Sequence, residues 1–340
     1  MLNPAEEAVY KRIREEAYSM GIGRTPILKI PVKENVSIYA KLEYFNKYKS
    51  VKDRAAFFML KKAQYDGFLK DDGIVVEGTS GNTGIAIASI AKDLGIEAEI
   101  IIPPGISEGT KNRLKDTGAT VIETLDDGTP ESRSSTGNAI HEAREKARQN
   151  PEIYFNLFQH GNVSNMLAHF YTTGPEVEEA TGLVPEYAAI GMGTGGTLTG
   201  LSFYLKSRNH EAKVYAVQSH PDSYIQGIRN YEKAKERKLI DEHLDLIDDF
   251  ITVTEEESYR EVRYLLRNHK VFVGTSSGAN LAGARKLAET VEKGNILTVF
   301  PDSAEKYEKV YKEKGLFTEE EFEENMRYFI EVPEAAITLV

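Results

Sequence analysis

The sequence predicts an α/β protein in which mostly parallel sheets are covered by helices on both faces. Short apolar runs rich in valine and isoleucine alternate with longer stretches of helical spacing over most of the 340 residues. A chain of this length is large for one hydrophobic core, so we expect two domains. No linker rich in proline, glycine or serine separates them, and the best break lies near residues 150–159, between two strand–helix series.

The individual elements follow from this alternation. The predicted strands are GIVVEG, AEIIIPP, TVIETL, EYAAIG, KVYAVQ, FITVT and NILTVF. The predicted helices between them are GIAIASIAKDLG, SEGTKNRLKDTGA, TLTGLSFYLKSRN, EEESYREVRYLLRNH and ANLAGARKLAETVEKG. Ligands of open α/β sheets bind beyond the carboxyl ends of the strands. We therefore expect the functional site at the turns that lead from strand to helix.

Composition and charge argue against several classes of protein. Hydrophobic residues at 41% and charged residues at 28% are typical of globular chains, and no apolar run reaches the length of a membrane span. A net charge of −11 without a long basic stripe disfavours nucleic acid as a partner. Cysteine is absent and the seven histidines lack metal-motif spacing, so we expect no metal site. These features favour a cytoplasmic protein.

The stretch NKYKSVKDRAA places Lys52 at the start of a predicted helix. Ser50 and Asp53 have the spacing of a capping box, which puts Lys52 in the first turn. The positive end of the helix dipole disfavours an ammonium group there. Lys52 is then either a solvated lysine whose long stem carries the charge away, or a lysine of depressed pKa that is ready to form a Schiff base with an aldehyde.

A glycine-rich turn, GTSGNTG, follows the first predicted strand at residues 78–84. Its glycines and small hydroxyl residues expose backbone N–H groups at the positive end of a helix, which suits an anion such as a carboxylate. Asn82 can also donate to an oxygen on a ring. The alternative is an ordinary tight turn between strand and helix.

A second glycine-rich turn, GMGTGGT, spans residues 191–197 and again separates a strand from a helix. Backbone amides and threonine hydroxyls around one point predict a phosphate site. The competing interpretation is a dinucleotide fold, which requires an acidic residue at the end of the next strand. That strand ends in Gln218 and Ser219, so we favour a single phosphate.

A third turn, GTSSGAN, spans residues 274–280 and leads into a long predicted helix. A serine hydroxyl at the start of a helix is ordinarily an N-cap. Taken alone, this turn predicts nothing further.

Taken together, these turns resemble the cysteine synthase and cystathionine β-synthase family of fold type II pyridoxal-phosphate enzymes. SVKDR, TSGNTG, GTGGT and SSGA occur in the family's order and approximate spacing, and KLEYFN, TTGPEV and IQGI are smaller matches. The match runs from GRTPILKI, near residue 23, to FPDSAEKY, near residue 307. The resemblance implies two open, twisted α/β domains with the active site in the cleft between them.

The resemblance also implies domain boundaries. Residues 44–156 would form a smaller mobile domain that carries Lys52 and the TSGNTG loop. Residues 1–43 together with 157–310 would form a larger domain that carries the phosphate loop and Ser276. Residues 311–340 would be a C-terminal extension, with apolar pieces MRYFI and AAITLV that pack on the core or on a partner subunit. Relatives are mostly dimers, so we expect a homodimer.

The family's site residues can be placed on this chain one by one. Lys52 resembles the catalytic lysine that holds pyridoxal 5'-phosphate as an internal aldimine and moves the Cα proton. The other residues that would bind the cofactor are Asn82, at the ring hydroxyl, Gly193, Thr194, Gly195, Gly196 and Thr197, around the phosphate, and Ser276, at the pyridine nitrogen. The residues that would bind the substrate are Thr79, Ser80, Gly81, Thr83 and Gln159, around the carboxylate, and Gly227, near the amine.

These roles imply β-replacement on an activated serine-type amino acid through an aminoacrylate. Cysteine synthesis from O-acetylserine or O-phosphoserine and sulfide is the commonest outcome among relatives. A hydroxyl at the pyridine nitrogen favours loss of a β-substituent, because it cannot hold a proton there as an aspartate can. Three alternatives stay open: a β-eliminating lyase such as a cysteine desulfhydrase or a serine/threonine dehydratase, an unusual nucleophile or anionic substrate, and a binding protein without turnover.

The loop just before SVKDR departs from the family pattern. Most relatives have Asn-Pro and one or two glycines there, whereas Asn46 is followed here by Lys47, Tyr48 and Lys49. One interpretation is a tighter or outward-pointing loop. The other is a specificity site, in which Lys47 or Lys49 meets an anionic group on an unusual substrate and Tyr48 supplies a proton.

Overall fold

The computed structural model describes residues 2–79, 81–106, 108–126 and 136–331. Its strands are β1 (Ile27–Lys33), β2 (Val36–Leu42), β3 (Ile74–Gly78), β4 (Glu97–Ile102), β5 (Thr120–Glu123), β6 (Tyr154–Asn156), β7 (Tyr187–Gly191), β8 (Lys213–Ser219), β9 (Asp249–Val253) and β10 (Gly294–Phe300). Each strand predicted from the sequence is present.

Helices separate most of these strands, as the alternation predicts. The α-helices are α1 (Pro4–Ser19), α2 (Lys52–Tyr65), α3 (Asn82–Asp93), α4 (Glu108–Asp116), α5 (Thr136–Gln149), α6 (Val163–Ala168), α7 (Gly174–Thr181), α8 (Gly196–Arg208), α9 (Lys238–Asp241), α10 (Glu255–His269), α11 (Thr275–Thr290), α12 (Glu308–Glu313) and α13 (Glu319–Glu331). A π-helix, His169–Thr173, joins α6 to α7. No helix in the described ranges is both long and apolar enough to cross a membrane.

The described strands form two sheets. The smaller sheet has four parallel strands in the order β5-β4-β3-β6. The larger sheet has six strands in the order β1-β2-β10-β7-β8-β9. Its neighbouring strands are parallel except for β1 and β2, which pair antiparallel at one edge. The fold class is therefore the α/β class with mostly parallel sheets that the sequence predicts.

Helix α1 bridges the two halves of the molecule. Tyr10 and Ile13 are buried in the core cluster that also contains Phe57 of α2. The hydroxyl of Tyr10 also lies 2.9 Å from that of Ser164 in α6, and its ring stacks on Tyr171 at 5.5 Å. The helix thus contacts both the smaller sheet's helices and the chain beyond residue 157, while the expected boundaries place residues 1–43 with the larger domain alone.

The start of α2 differs from the predicted capping box. The helix begins at Lys52 after Val51, and no side chain caps it. The hydroxyl of Ser50 accepts a hydrogen bond from the Lys52 N–H at 3.3 Å, while the Asp53 carboxylate accepts one from the Tyr48 N–H at 2.6 Å. The carboxylate therefore turns back to order the preceding loop. Lys52 still occupies the first turn, as predicted.

The described part of the C-terminal segment packs on the larger core. Tyr311, Leu316 and Phe322 are buried in the same cluster as Phe272, and Met326 lies against it. This agrees with the expectation that part of the tail covers the core. The AAITLV piece lies outside the described residues.

Candidate active site

A cavity of about 280 Å³ lies where the carboxyl ends of strands from both sheets face each other. Its walls come from the turns that follow β3 and β7, the starts of α2 and α11, and the segment after β10. The predicted site residues that line it are Lys52, Thr79, Gly81, Asn82, Thr83, Gln159, Gly193, Thr194, Gly195, Thr197, Gly227 and Ser276. Four turns that are distant in sequence therefore surround one space, as expected for open α/β sheets.

Lys52 is partly buried at one side of this cavity. Burial lowers the pKa of its ammonium group to about 8, the positive charge of Arg229 acts in the same direction, and Asp302 opposes both. A lowered pKa is the direction expected from the sequence, although burial and Arg229 are the causes here. In the described part of the chain no group forms a hydrogen bond with Lys52 Nζ, so this nitrogen is available to react.

The turn after β3 forms the wall that carries small hydroxyl residues. The Thr83 hydroxyl donates to Gln159 Oε1 at 2.8 Å, which fixes two of the predicted substrate residues together. The Gln159 N–H in turn donates to the buried Glu77 carboxylate at 3.3 Å. Thr79 is buried at the same turn, and Gly81 precedes α3. Ser80, the remaining predicted member of this group, lies outside the described residues.

Asn82 reaches across the cavity to the larger sheet. Its Nδ2 donates to Asp302 Oδ2 at 2.6 Å, and its Oδ1 accepts a hydrogen bond from Lys306 Nζ. Lys306 also lies 3.0 Å from the Asp302 carboxylate, and the Tyr307 hydroxyl donates to it at 3.0 Å. Asn82 therefore links α3 to the segment after β10.

The turn after β7 has the shape of a phosphate cradle. Gly195 has φ +100°, where L side chains are strained, and a Cβ there would lie 2.7 Å from Ile240. A Cβ on Gly196, which is the one phosphate-loop residue outside the lining, would lie 2.0 Å from Asn165 Oδ1. Only glycine allows this close approach. As at the start of any α-helix, the first N–H groups of α8 have no intrahelical acceptors, so they can bind an anion.

The far wall is formed by Ser276 at the start of α11 and by the turn Ile225–Ile228. The Ile228 N–H donates to the Ile225 carbonyl at 3.0 Å, and Gly227 has φ +90°. Gly227 lies close to Ser276, because a Cβ there would be 3.5 Å from the Ser276 Cβ. Ser276 is buried, and one turn further along α11 the buried Asn280 Oδ1 has no partner in the described structure.

The structure does not bring Lys47, Tyr48 and Lys49 into this cavity. Lys47 Nζ and the Tyr48 hydroxyl both contact the Asp93 carboxylate at the end of α3, and none of the three lines the cavity. Lys49 is exposed and has φ +70°. The loop therefore follows the alternative interpretation, in which it points outward.

Five residues with titratable side chains line the cavity and were not predicted from the sequence: His160, Tyr224, Arg229, Asp302 and Tyr307. Arg229 directly follows the IQGI match, and Asp302 lies within FPDSAEKY, so both stand in segments that the resemblance had singled out. His160 follows Gln159. The available signal was position beside a matched motif, which does not reveal where a side chain points.

A partly buried lysine of lowered pKa, a glycine phosphate cradle and a serine hydroxyl around one cavity fit pyridoxal phosphate, a small anionic aldehyde that bonds to lysine. This arrangement defines a pyridoxal-phosphate-dependent enzyme. A family model described as pyridoxal-phosphate dependent enzyme matches residues 18–302.

Comparison with individual relatives indicates a narrower group of these enzymes. The chain is 38% identical over 310 residues to a cysteine synthase of Aquifex aeolicus, covering 88% of this chain and 92% of that protein. It is 33% identical to an O-acetylserine dependent cystathionine beta-synthase of Bacillus subtilis, with 84% and 94% covered. The solved structure of a hydrogen sulfide-producing enzyme from Fusobacterium nucleatum superposes with a TM-score of 0.79 at 28% identity, covering 97% of each chain. The chain belongs to the cysteine synthase and cystathionine β-synthase family of fold type II enzymes, whose cofactor is pyridoxal 5'-phosphate.

Proposed function

We propose that this enzyme replaces the β-substituent of an activated serine, O-acetylserine or O-phosphoserine, with sulfide to make cysteine. The observation that carries the proposal is the meeting of Lys52, the glycine cradle and Ser276 around one cavity. The names of the cysteine synthases among its relatives support the choice of reaction.

The cofactor supplies the electron sink that stabilises negative charge at the substrate Cα. The chain's own residues then have separate tasks. Lys52 holds the cofactor and moves the proton at Cα, which suits a nitrogen whose pKa is lowered to about 8. The backbone N–H groups at the start of α8 bind the cofactor phosphate. The hydroxyls of Thr79 and Thr83, together with Gln159, bind the substrate carboxylate.

Ser276 selects the type of reaction. The Ser276 hydroxyl would form a hydrogen bond with the pyridine nitrogen of the bound cofactor without holding a proton on it, so the ring would withdraw electrons less strongly. Its place at the positive end of α11 acts in the same direction. The weaker withdrawal would favour departure of a group from Cβ after Lys52 takes up the Cα proton.

Product analysis of the holoenzyme tests this proposal. With O-acetylserine or O-phosphoserine and sulfide we expect cysteine as the main product, and Lys52→Ala should abolish it. Formation of pyruvate and ammonia in the presence of sulfide would instead favour β-elimination, the second candidate, for which the similarity to a hydrogen sulfide-producing enzyme is the supporting observation. A protein that stays colourless after incubation with pyridoxal phosphate would overturn both.

We also propose a homodimer, a cytoplasmic location and a smaller domain, residues 44–156, that moves relative to the rest of the chain. The resemblance to dimeric relatives supports the homodimer. The separate four-stranded sheet supports the movement of the smaller domain. Light scattering should give twice the mass of one chain. Substrate analogues should change the small-angle scattering profile if the smaller domain closes.

A further inference from the structure

Two charged side chains hold Asn82 in place across the cavity. Its Nδ2 donates to Asp302 Oδ2 at 2.6 Å, and its Oδ1 accepts a hydrogen bond from Lys306 Nζ. Asn82 is the first residue of α3, beside the smaller sheet, whereas Asp302 and Lys306 follow β10 of the larger sheet. One amide group therefore joins two walls of the cavity.

The charged pair that contacts Asn82 is itself fixed by its neighbours. Asp302 is buried, the Tyr307 hydroxyl donates to its Oδ2 at 3.0 Å, and Lys306 Nζ lies 3.0 Å from the same oxygen. The Gly274 N–H, just before α11, donates to the Asp302 carbonyl at 3.0 Å. Among the described lining residues, Asp302 carries the only carboxylate. Its direction is thus set by contacts within the larger domain.

The charges of this pair decide which way the Asn82 amide faces. A carboxylate only accepts hydrogen bonds and an ammonium group only donates them. The amide nitrogen must therefore face Asp302 and the amide oxygen must face Lys306. Rotation of the amide by half a turn would set donor against donor and acceptor against acceptor, and both charge-assisted hydrogen bonds would be lost.

This orientation leaves one hydrogen of the amide nitrogen for a ligand. Nδ2 carries two hydrogens, and among the described residues Asp302 is its one acceptor. Oδ1, in contrast, already accepts from Lys306. Because Asn82 lines the cavity, it presents a hydrogen-bond donor, and not an acceptor, to a ring oxygen that binds there.

We propose that Asp302 and Lys306 are positioning residues, which hold the Asn82 amide with its nitrogen available to the ring oxygen of pyridoxal phosphate. The inference rests on the expected place of Asn82 at that oxygen, and it applies to β-replacement and β-elimination alike. An amide that rotates freely would present its oxygen as readily, and that oxygen would repel an ionised ring oxygen. A donor that is fixed in advance strengthens cofactor binding, because no orientation has to be selected on binding.

Cofactor affinity gives the first test. Fluorescence titration of the apoprotein with pyridoxal phosphate should show that Lys306→Met and Asp302→Asn each weaken binding about 10-fold, because a hydrogen bond to a charged oxygen is lost. Lys306→Arg, which still donates to Asn82 Oδ1, should keep most of the affinity. Lys309→Met is the matched control, since Lys309 lies in the same segment but pairs with Glu313 on the surface.

The absorption spectrum of the loaded enzyme gives the second test, because it reports the state of the ring oxygen. A donated hydrogen bond favours the ionised oxygen. Lys306→Met should therefore lower the ratio of visible to near-ultraviolet absorption, and Lys306→Arg should preserve it. In an Asn82→Ala background, Lys306→Met should not change the ratio further, because Lys306 acts through Asn82.

A cofactor analogue without the ring hydroxyl, 3-deoxypyridoxal 5'-phosphate, separates positioning from folding. It should bind the wild type and Lys306→Met with equal affinity, since it has no ring oxygen for Asn82 to meet. A variant that binds the analogue as weakly as it binds pyridoxal phosphate has a damaged site, and this result would refute the positioning role. Both measurements use binding alone, so they also serve if a variant has low activity.

Further outcomes would overturn the inference in different ways. If Asn82→Ala changes the affinity and the absorption ratio while Lys306→Met and Asp302→Asn do not, the positioning role is refuted and Asn82 keeps its place. If Asn82→Ala changes neither, the ring-oxygen contact itself is refuted. Additive effects of Asn82→Ala and Lys306→Met would assign Lys306 to packing alone. Product analysis tests the proposed function separately, so its failure is distinguishable from all of these.

Discussion

A buried group of four charged side chains, one of them on α2, gives the strongest prediction about the free energy of unfolding. Arg54 of α2 is 0% exposed and forms ion pairs with Glu43 and Glu176 at 2.6 Å each. Lys41 pairs with Glu176 at 2.8 Å. Burial alone would raise the pKa of Glu176, but Arg54 and Lys41 hold it well below its usual range. Two cations and two carboxylates balance, so the group is neutral.

Glu43→Gln would leave this group with a net charge of +1 in a site whose side chains are at most 5% exposed. Breaking a buried pair by removal of one partner costs about 3–5 kcal/mol. With an unfolding entropy of about 2 cal/mol/K per residue, about 4 kcal/mol corresponds to a Tm decrease of about 6 °C for 340 residues.

Urea denaturation of the apoprotein measures the change in the free energy of unfolding, and calorimetry measures the change in Tm. Glu7→Gln is the control, because its pair with Lys11 is 2.6 Å long but exposed, and such pairs contribute about 0–1 kcal/mol. Equal and small effects of Glu43→Gln and Glu7→Gln would refute the reasoning that the buried charges depend on one another.

Four further predictions concern the site and the loop before it. Pyridoxal phosphate should add to the apoprotein faster as pH rises through about 8, since the lowered pKa of Lys52 frees its amine there; a midpoint above 10 would contradict this. The apoprotein's stability should also rise between about pH 8 and 10.5, because the unfolded lysine binds more protons in that range. Gly195→Ala should cost about 1–3 kcal/mol and weaken cofactor affinity, measured by fluorescence titration, because its φ is +100° and its Cβ would meet Ile240; unchanged affinity would exclude the cradle role. Lys47→Met should cost less than about 1 kcal/mol by urea unfolding and leave the preference between anionic and neutral substrates unchanged, since Lys47 pairs with Asp93 in an exposed ion pair; a changed preference would restore it as a specificity residue.

The strands and helices were predictable because their hydrophobic periodicity is local information. Each of the seven predicted strands is present, from Ile74–Gly78 to Gly294–Phe300. The antiparallel pair β1 and β2 was not predicted, since its apolar residues lie in segments that the sequence offered only as family matches. The register that places it beside β10 depends on contacts between residues far apart in the chain.

The residues of the candidate site likewise divide into those that the sequence could predict and those that it could not. Lys52, Ser276 and the glycine turns were identified because each lies in a family motif and also stands at or just before the start of a predicted helix. Arg229 was missed because its place in the cavity wall depends on hydrogen bonds to Met192 and Ser219, which are visible only after folding. The two interpretations of the loop lysines could not be separated from the sequence for the converse reason. Sequence shows that Lys47 is cationic, but only the fold shows that Asp93 pairs with it.

The pairing of β2 with β10 has a consequence for how the protein is made. It joins residues 36–42 to residues 294–300, so the larger sheet has a gap until nearly the whole chain has left the ribosome. The four parallel strands of the smaller sheet lie within residues 74–156 and can assemble much earlier. During synthesis the edge of β2 is open to other strands. Chaperone demand and aggregation should therefore be greatest for nascent chains that end between these two points.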